Sequence, residues 1–288
     1  MPEPLALWQL LKPVTWFPPI WAFACGAVSS GASPGLDPGG VALGLLLAGP
    51  VVCGMSQAAN DWCDRHVDAI NEPDRPIPSG RVPGRWGLLI ALAMTAAALL
   101  LAPRLGPWGW GATALACVAA WAYSAEPVRL KRSGLWGPGL VGLSYETLPW
   151  ITGAAVLSAG MPDGRILLVA LLYGIGAHGI MCFNDFKAVD GDRATGIRSL
   201  PATLGPDRAA RVACAVMLLP QLAVVALLAS WGRPVHALLV GVLIAAQLWA
   251  MRRVLHDPLR LAPWFNGTGV ALSVGGMMIA ALALRGLA

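Results

Sequence analysis

VALGLLLAGPVVCGMSQAANDWCDRHVD, residues 41–68, decides what kind of chain this is. It begins as a long apolar run and ends on Asn60, Asp61, Asp64 and Asp68. About 20 mainly apolar residues suffice to cross a bilayer as a helix. Carboxylates at the end of such a run are costly unless something binds them. A second run, 165–185, ends the same way, on Asn184, Asp185, Asp190 and Asp192. The chain has 15 Asp and Glu in 288 residues, and six of them fall in these two stretches. The acidity is concentrated where it is most expensive, which marks it as functional.

Outward from these stretches the chain is apolar throughout. Hydrophobic residues make up 57% and charged residues 12%, against about 25% charged in a soluble domain. Mean hydropathy is +0.64. The fold class is an all-α membrane protein, read as one domain over 1–288. Apolar runs near 14–34, 41–62, 86–103, 107–124, 137–159, 165–185, 209–230, 234–252 and 265–285 predict a bundle of nine transmembrane helices around a central cavity. Pro18, Pro19, Pro50, Pro149 and Pro220 are expected to kink or break their helices. Asn60-Asp61 recurs as Asn184-Asp185 four helices later. This suggests an internal duplication, about 14–124 and 137–252, with the final helix as an addition.

Lys and Arg set the orientation. With the N-terminus cytoplasmic, sixteen of the 20 fall on the cytoplasmic side, leaving Arg104, Arg165, Arg233 and Arg285 opposite. Both acidic stretches are then cytoplasmic. The same bias accounts for the net charge of +5 without any nucleic-acid partner. The six cysteines are scattered and form no CxxC pair, so neither a disulfide framework nor a zinc site is indicated. The first residues lack a signal-peptide pattern, and the first helix is expected to stay as an anchor.

Asn60, Asp64 and Asp68 are spaced i, i+4, i+8, one face of a helix. Three oxygen ligands on one face can hold Mg²⁺ while leaving positions for water and phosphate. Asp185 and Asp192, at i, i+7, supply a second set, with Gly191 as a possible break. Two such clusters facing each other are a natural cage for divalent cations. The loops beside them carry cations. The proline-rich NEPDRPIPSGR, 71–81, presents Arg75 and Arg81; Tyr123 and Lys131 follow the fourth run; Lys187 and Arg198 flank the second acidic stretch. Guanidinium and ammonium groups in stiff loops suit a diphosphate.

The pattern NDxxDxxxD, the second cluster NDFKxxDGDR, the nine apolar runs and the Tyr123…Lys131 segment resemble the UbiA superfamily of intramembrane prenyltransferases over essentially the whole chain. Within it, NEPDRPIPSGR and NDFKAVDGDRATGIRSLP are most similar to the chlorophyll and bacteriochlorophyll synthases. The resemblance implies Mg²⁺-dependent transfer of a C20 prenyl group, geranylgeranyl or phytyl, from its diphosphate to the propionate of a chlorophyllide or bacteriochlorophyllide. It implies Asp64, Asp68, Arg75, Lys131 and Arg198 as catalytic. Asn60, Asp64, Asp68, Asp185 and Asp192 are the metal ligands, and Asn60, Arg81, Tyr123 and Lys187 contact substrate. Ala188 departs from the wider superfamily, where an acid is common three residues after the position of Asp185; Asp190 stands in its place.

The chemistry agrees with this reading. An allylic diphosphate ionises when its leaving group is neutralised, and the resulting cation needs a dry, apolar chamber. A carboxylate acceptor is already deprotonated at pH 7, so esterification needs no catalytic base. Glu146 and His178 are ionisable residues within apolar runs and hence candidate substrate contacts; His178 is a candidate ligand for the macrocycle's central Mg²⁺, and the two residues are a candidate pair. Competing readings are a UbiA-type enzyme with a quinone-precursor ring, haem or glycerol phosphate lipid as acceptor, and a cation-coupled transporter. Without a transit peptide, a bacterial inner or intracytoplasmic photosynthetic membrane is the expected location.

Overall fold

Regular structure is helical throughout the described residues, 1–158 and 160–287 of this computed structural model, apart from one isolated β-bridge, Ser133 to Arg198. In chain order the α-helices are α1 (Pro4–Leu11), α2 (Phe17–Ser29), α3 (Pro38–Leu46), α4 (Gly54–Asn71), α5 (Trp86–Leu101), α6 (Gly106–Ser124), α7 (Trp136–Gly142), α8 (Leu148–Ser158), α9 (Gly164–Asn184), α10 (Val189–Thr195), α11 (Leu200–Leu204), α12 (Pro206–Ser230), α13 (Pro234–Val254) and α14 (Pro258–Leu284). Every predicted apolar run coincides with helix; Ala159, the predicted end of the fifth, lies outside the described residues.

Among the described residues, six stretches are long and apolar enough to cross a membrane: Pro38–Asn71, Trp86–Ser124, Gly164–Ala194, Pro206–Ser230, Pro234–Val254 and Pro258–Leu284. The second contains two predicted helices, joined at a 3₁₀ turn, Ala102–Leu105. The first and fifth predicted runs are helical but broken or short: α2 has 13 residues, and α7 meets α8 through a π-helical stretch, Leu143–Thr147.

Pro18, Pro19, Pro50, Pro149 and Pro220 sit within continuous helix or in a helix's first turn. Proline removes an N–H and crowds the carbonyl four residues back. Pro50 lies inside a π-helical stretch, Leu47–Cys53, that links α3 to α4 without a break. Pro149 follows the π stretch that holds Tyr145, whose carbonyl it would otherwise crowd. A wider turn relieves both conflicts. Pro18 and Pro19 sit in the first turn of α2, where proline is tolerated, and Pro220 lies within an uninterrupted α12.

The chain divides into two units. The first comprises Met1–Ala27, Ala32–Leu130 and Leu148–Met161. Its core is built from small residues, among them Ala58, Ala59, Ala91, Ala98, Cys117 and Ala120, with Met55 and Leu47 as the larger fillers. Small side chains let membrane helices approach closely. Gly26 and Gly153 take this furthest: a Cβ on either would run into the backbone oxygen of Trp150 or Phe23, so α2 and α8 cross backbone to backbone.

The second unit comprises Val28–Gly31, Lys131–Thr147 and Pro162–Ala288. Here α9 packs on α7, α12 and α14. Two buried amides tie three helices: Gln221 Nε2 donates to Gln247 Oε1 at 2.9 Å, and Gln247 Nε2 to the Gly269 carbonyl at 3.0 Å. Such bonds across helices are worth about 0.6 kcal/mol each in a membrane. Phe183 lies between Phe186 and Phe265, with centroids 5.4 and 4.6 Å away, and locks the end of α9 against α14.

Candidate active site

The first acidic stretch lies on the last three turns of α4, which runs unbroken to Asn71. The expected face is therefore formed. Asp61 belongs to it as well, at i, i+3, i+7 with Asp64 and Asp68. Three like charges on one face repel, and each is met by a cation from elsewhere in the unit. Lys12 Nζ bonds Asp61 Oδ1 at 2.6 Å. Arg75 Nη1 bonds Asp68 Oδ2 at 2.9 Å and stands 3.6 Å from Asp61 Oδ1. Arg129 Nη2 bonds Asp64 Oδ1 at 2.8 Å. Asn60 Nδ2 donates to Ser124 Oγ at 3.3 Å.

The cations are positioned by local structure. Arg75 is gripped by Glu72, through Nε to Oε2 at 2.6 Å and Nη2 to Oε1 at 2.7 Å. Lys12 and Arg129 have φ of 45° and 36°, the non-glycine residues with positive φ among those described. Backbone in that region costs on the order of 1 kcal/mol or more and persists where the surroundings demand it. In both cases the side chain it delivers reaches an Asp of α4. Burial works against the charge of Arg129, but the hydrogen bond to Glu126 and the charge of Asp64 outweigh it and raise its pKa above the ordinary arginine value.

Arg81, an expected substrate contact, bonds within its own unit. Its guanidinium bonds Gln9 Oε1 at 2.5 Å, the Asp74 carbonyl at 2.6 Å and Ser79 Oγ at 3.1 Å. It fastens the 71–81 loop to α1. Tyr123 is half-buried in the last turn of α6, and Lys131 lies in a 3₁₀ turn, Leu130–Arg132, just past Arg129.

The second acidic stretch is built on another plan. At Asn184 α9 gives way to a 3₁₀ turn, Asp185–Ala188, and α10 then contains Gly191 in its interior. The break thus falls at Asp185 and not at Gly191. Asp192 is 8% exposed, and its Oδ2 accepts from Ser199 Oγ at 2.6 Å. Asp185 lies within electrostatic reach of Asp192 and Lys187. Asn184 Oδ1 accepts from Asn266 Nδ2 of α14 at 2.8 Å. The exposed Arg198 uses its backbone: its N–H donates to the Arg132 carbonyl and its own carbonyl accepts from Gly134, each at 2.9 Å. A Cβ on Gly134 would come 2.7 Å from the Arg198 oxygen, so only glycine fits this bridge.

Gly134 also receives His178. The half-buried imidazole hydrogen-bonds the Gly134 backbone. Glu146 sits in the π stretch, 5% exposed, with Oε2 lacking a hydrogen-bond partner among the described residues. Glu146 Oε2 thus makes no bond to His178, its candidate partner.

The donors on α4 and around Asp185 are oxygens, which suits Mg²⁺. Asp61 Oδ2 is a fully buried oxygen of this kind without a hydrogen-bond partner among the described residues. Among those residues no three His, Cys, Asp or Glu converge into a ready chelate. The protein would supply part of a coordination shell, as fits a cation whose remaining ligands are water and phosphate.

Residues 9–281 match the UbiA prenyltransferase family, and the chain belongs to it. Family membership removes the transporter reading. The chain is 64% identical over 287 residues to the bacteriochlorophyll synthase 33 kDa chain of Cereibacter sphaeroides, covering 100% of this chain and 95% of that one. It is 36% identical to the chloroplastic chlorophyll synthase of Arabidopsis thaliana, over 96% of this chain and 73% of that one. Among solved structures, a digeranylgeranylglyceryl phosphate synthase matches with TM-score 0.75 and 17% identity over 96% of this chain and 98% of that one. A UbiA homologue from Archaeoglobus fulgidus, bound to GPP and Mg²⁺, matches with TM-score 0.67 and 20% identity over 93% and 99%. These structures share the fold.

Proposed function

We propose that this chain transfers a C20 prenyl group, geranylgeranyl or phytyl, from its diphosphate to the propionate carboxylate of chlorophyllide a or bacteriochlorophyllide a. The observation that carries the donor half is the face of α4, where Asp61, Asp64 and Asp68 are each matched by a lysine or arginine. The acceptor half is supported by the 64% identity to a bacteriochlorophyll synthase chain. Asn60, Asp64 and Asp68, and separately Asp185 and Asp192, are the oxygens that would hold Mg²⁺, which when bound supplies neutralisation of the diphosphate charge. Arg75, Arg129, Lys131, Lys187 and Arg198 add donors for the leaving group.

The allylic C–O bond breaks with its electron pair leaving on the diphosphate. A propionate oxygen then forms the new C–O bond, and no proton has to be removed. The apolar side chains of the membrane helices keep water from the allylic cation. His178, with one ring nitrogen committed to Gly134, keeps the other for the pigment's central magnesium, the arrangement typical of ligating histidines. Glu146, buried and with Oε2 lacking a hydrogen-bond partner among the described residues, is the second candidate contact for the acceptor. By the excess of Lys and Arg, both acidic stretches lie on the cytoplasmic side of a bacterial inner or intracytoplasmic photosynthetic membrane.

The test is esterification by purified protein in nanodiscs, with each pigment and each diphosphate, in Mg²⁺ and in excess EDTA. Pigment ester formed in Mg²⁺ and abolished by EDTA is expected. Diphosphate consumption with a ring or glycerol phosphate acceptor, and none with either pigment, would overturn the assignment. His178→Phe should impair use of the magnesium pigment while sparing a magnesium-free analogue.

A further inference from the structure

We propose that Asp61 is a positioning residue for Arg75: it is the carboxylate to which the guanidinium moves when Asp68 gives its oxygens to a divalent cation. This rests on the metal reading above and concerns a residue that reading leaves without a role.

The geometry is that of a hand-over caught at one end. Arg75 Nη1 is 2.9 Å from Asp68 Oδ2 and 3.6 Å from Asp61 Oδ1. The first distance is a charge-assisted hydrogen bond; the second is an ion pair too long to be one. The other two donating nitrogens, Nε and Nη2, are both held by Glu72. The guanidinium is thus hinged on Glu72, with Nη1 as the end that can swing.

Asp61 is prepared to receive it. The residue is 1% exposed, so water does not satisfy it. Lys12 takes Oδ1 at 2.6 Å, and Oδ2 is left buried with no hydrogen-bond partner among the described residues. An unmet buried acceptor is expensive, and native structures hold few of them. Lys12 comes from the left-handed turn after α1, so Asp61 is pinned from outside α4 and stays in place while Arg75 moves. Without Asp61, a cation arriving at Asp68 would leave Arg75 Nη1 without an acceptor, with the rest of the guanidinium still held by Glu72.

Two variants and their combination decide this, with Mn²⁺ as the probe and its binding to the full-length protein read by electron paramagnetic resonance, without substrate or turnover. Arg75→Gln removes the competitor for Asp68 and should tighten Mn²⁺ binding. Asp61→Asn keeps the volume but removes the receiving charge and should weaken it about tenfold, the lower end of effects for residues behind a metal ligand. In the Arg75→Gln background Asp61→Asn should then do little, because no arginine remains to be received. An equal loss with and without Arg75 would make Asp61 a ligand or a bulk charge and overturn the proposal. So would an Arg75→Gln protein that binds Mn²⁺ no tighter than wild type, a result independent of whether Asp61→Asn folds. Wild-type protein that binds no Mn²⁺ would sink the metal reading and this proposal together, whereas failure of the coupling alone sinks this one.

Discussion

The two acidic stretches begin with the same Asn-Asp pair and end as different electrostatic objects. On α4 the helix continues, so the carboxylates stack on one face and must be countered by charge: Lys12, Arg75 and Arg129 each take one. After α9 the helix breaks into a 3₁₀ turn and the carboxylates are drawn onto separate elements: Asp192 accepts from the Ser199 hydroxyl, and Asp185 has Lys187 within electrostatic reach. Backbone continuity decides whether a set of acids becomes a charge-balanced cluster or a hydrogen-bonded one. In the first kind, Arg75 and Arg129 each also bond a second carboxylate, Glu72 and Glu126. The second is framed by packed aromatic rings.

Activity gives the widest test of this contrast. Asp64→Ala and Asp68→Ala should each lower pigment ester formation by about 10²–10³-fold, the loss typical of one electrostatic contributor. Asp192→Ala should fall in the same range if the second stretch works in catalysis, and wild-type rates in all three variants would remove both stretches from the reaction.

Stability separates the two kinds of partner. Lys12→Met takes from Asp61, which is 1% exposed, its hydrogen-bonded cation, with Arg75 Nη1 3.6 Å from the same oxygen, and should cost roughly 3 kcal/mol, the low end for breaking a buried pair. Ser199→Ala removes one hydroxyl donor from Asp192 and should cost about 1.5 kcal/mol. Denaturant unfolding in a mild detergent compares them; a larger loss for Ser199→Ala would reverse the ranking of charge over hydrogen bond.

Smaller still is Asn266→Ala, expected at about 1 kcal/mol for one lost hydrogen bond. Its effect on Mn²⁺ binding should leave the α4 site untouched. Arg81→Ala should loosen the 71–81 loop yet leave KM for the prenyl diphosphate unchanged, because its guanidinium is already spent on Gln9, Asp74 and Ser79. A raised KM would restore Arg81 to the substrate-binding set.

The helices were legible because apolar runs long enough for a bilayer leave little choice of structure. So was the face of Asn60, Asp64 and Asp68, which needs nothing but a continuous α4. α1 was not, being eight residues long and lacking a span's length. Partner choice was not legible either. That Arg129 reaches Asp64 depends on a left-handed backbone at 129 that no periodicity announces. Asp61 left a signal, its i, i+3, i+7 relation to Asp64 and Asp68, but its partner Lys12 is 49 positions away. Asn266 belongs to a helix expected to be an appendage, and only packing against α9 brings it to Asn184.

The left-handed turns at Lys12 and Arg129 carry a consequence for anyone altering this chain. Judged by backbone alone, glycine is the better residue at both, and a stability screen that scores conformation will recommend it. Taking the advice would relax each turn by about 1 kcal/mol and delete the cation that the turn exists to deliver. A protein changed in this way would keep its helices, but one of the three α4 carboxylates would no longer be met by its cation. At these two positions the pressure on the side chain and the pressure on the backbone point in opposite directions. Variants that drift toward glycine there should be lost from libraries selected for pigment.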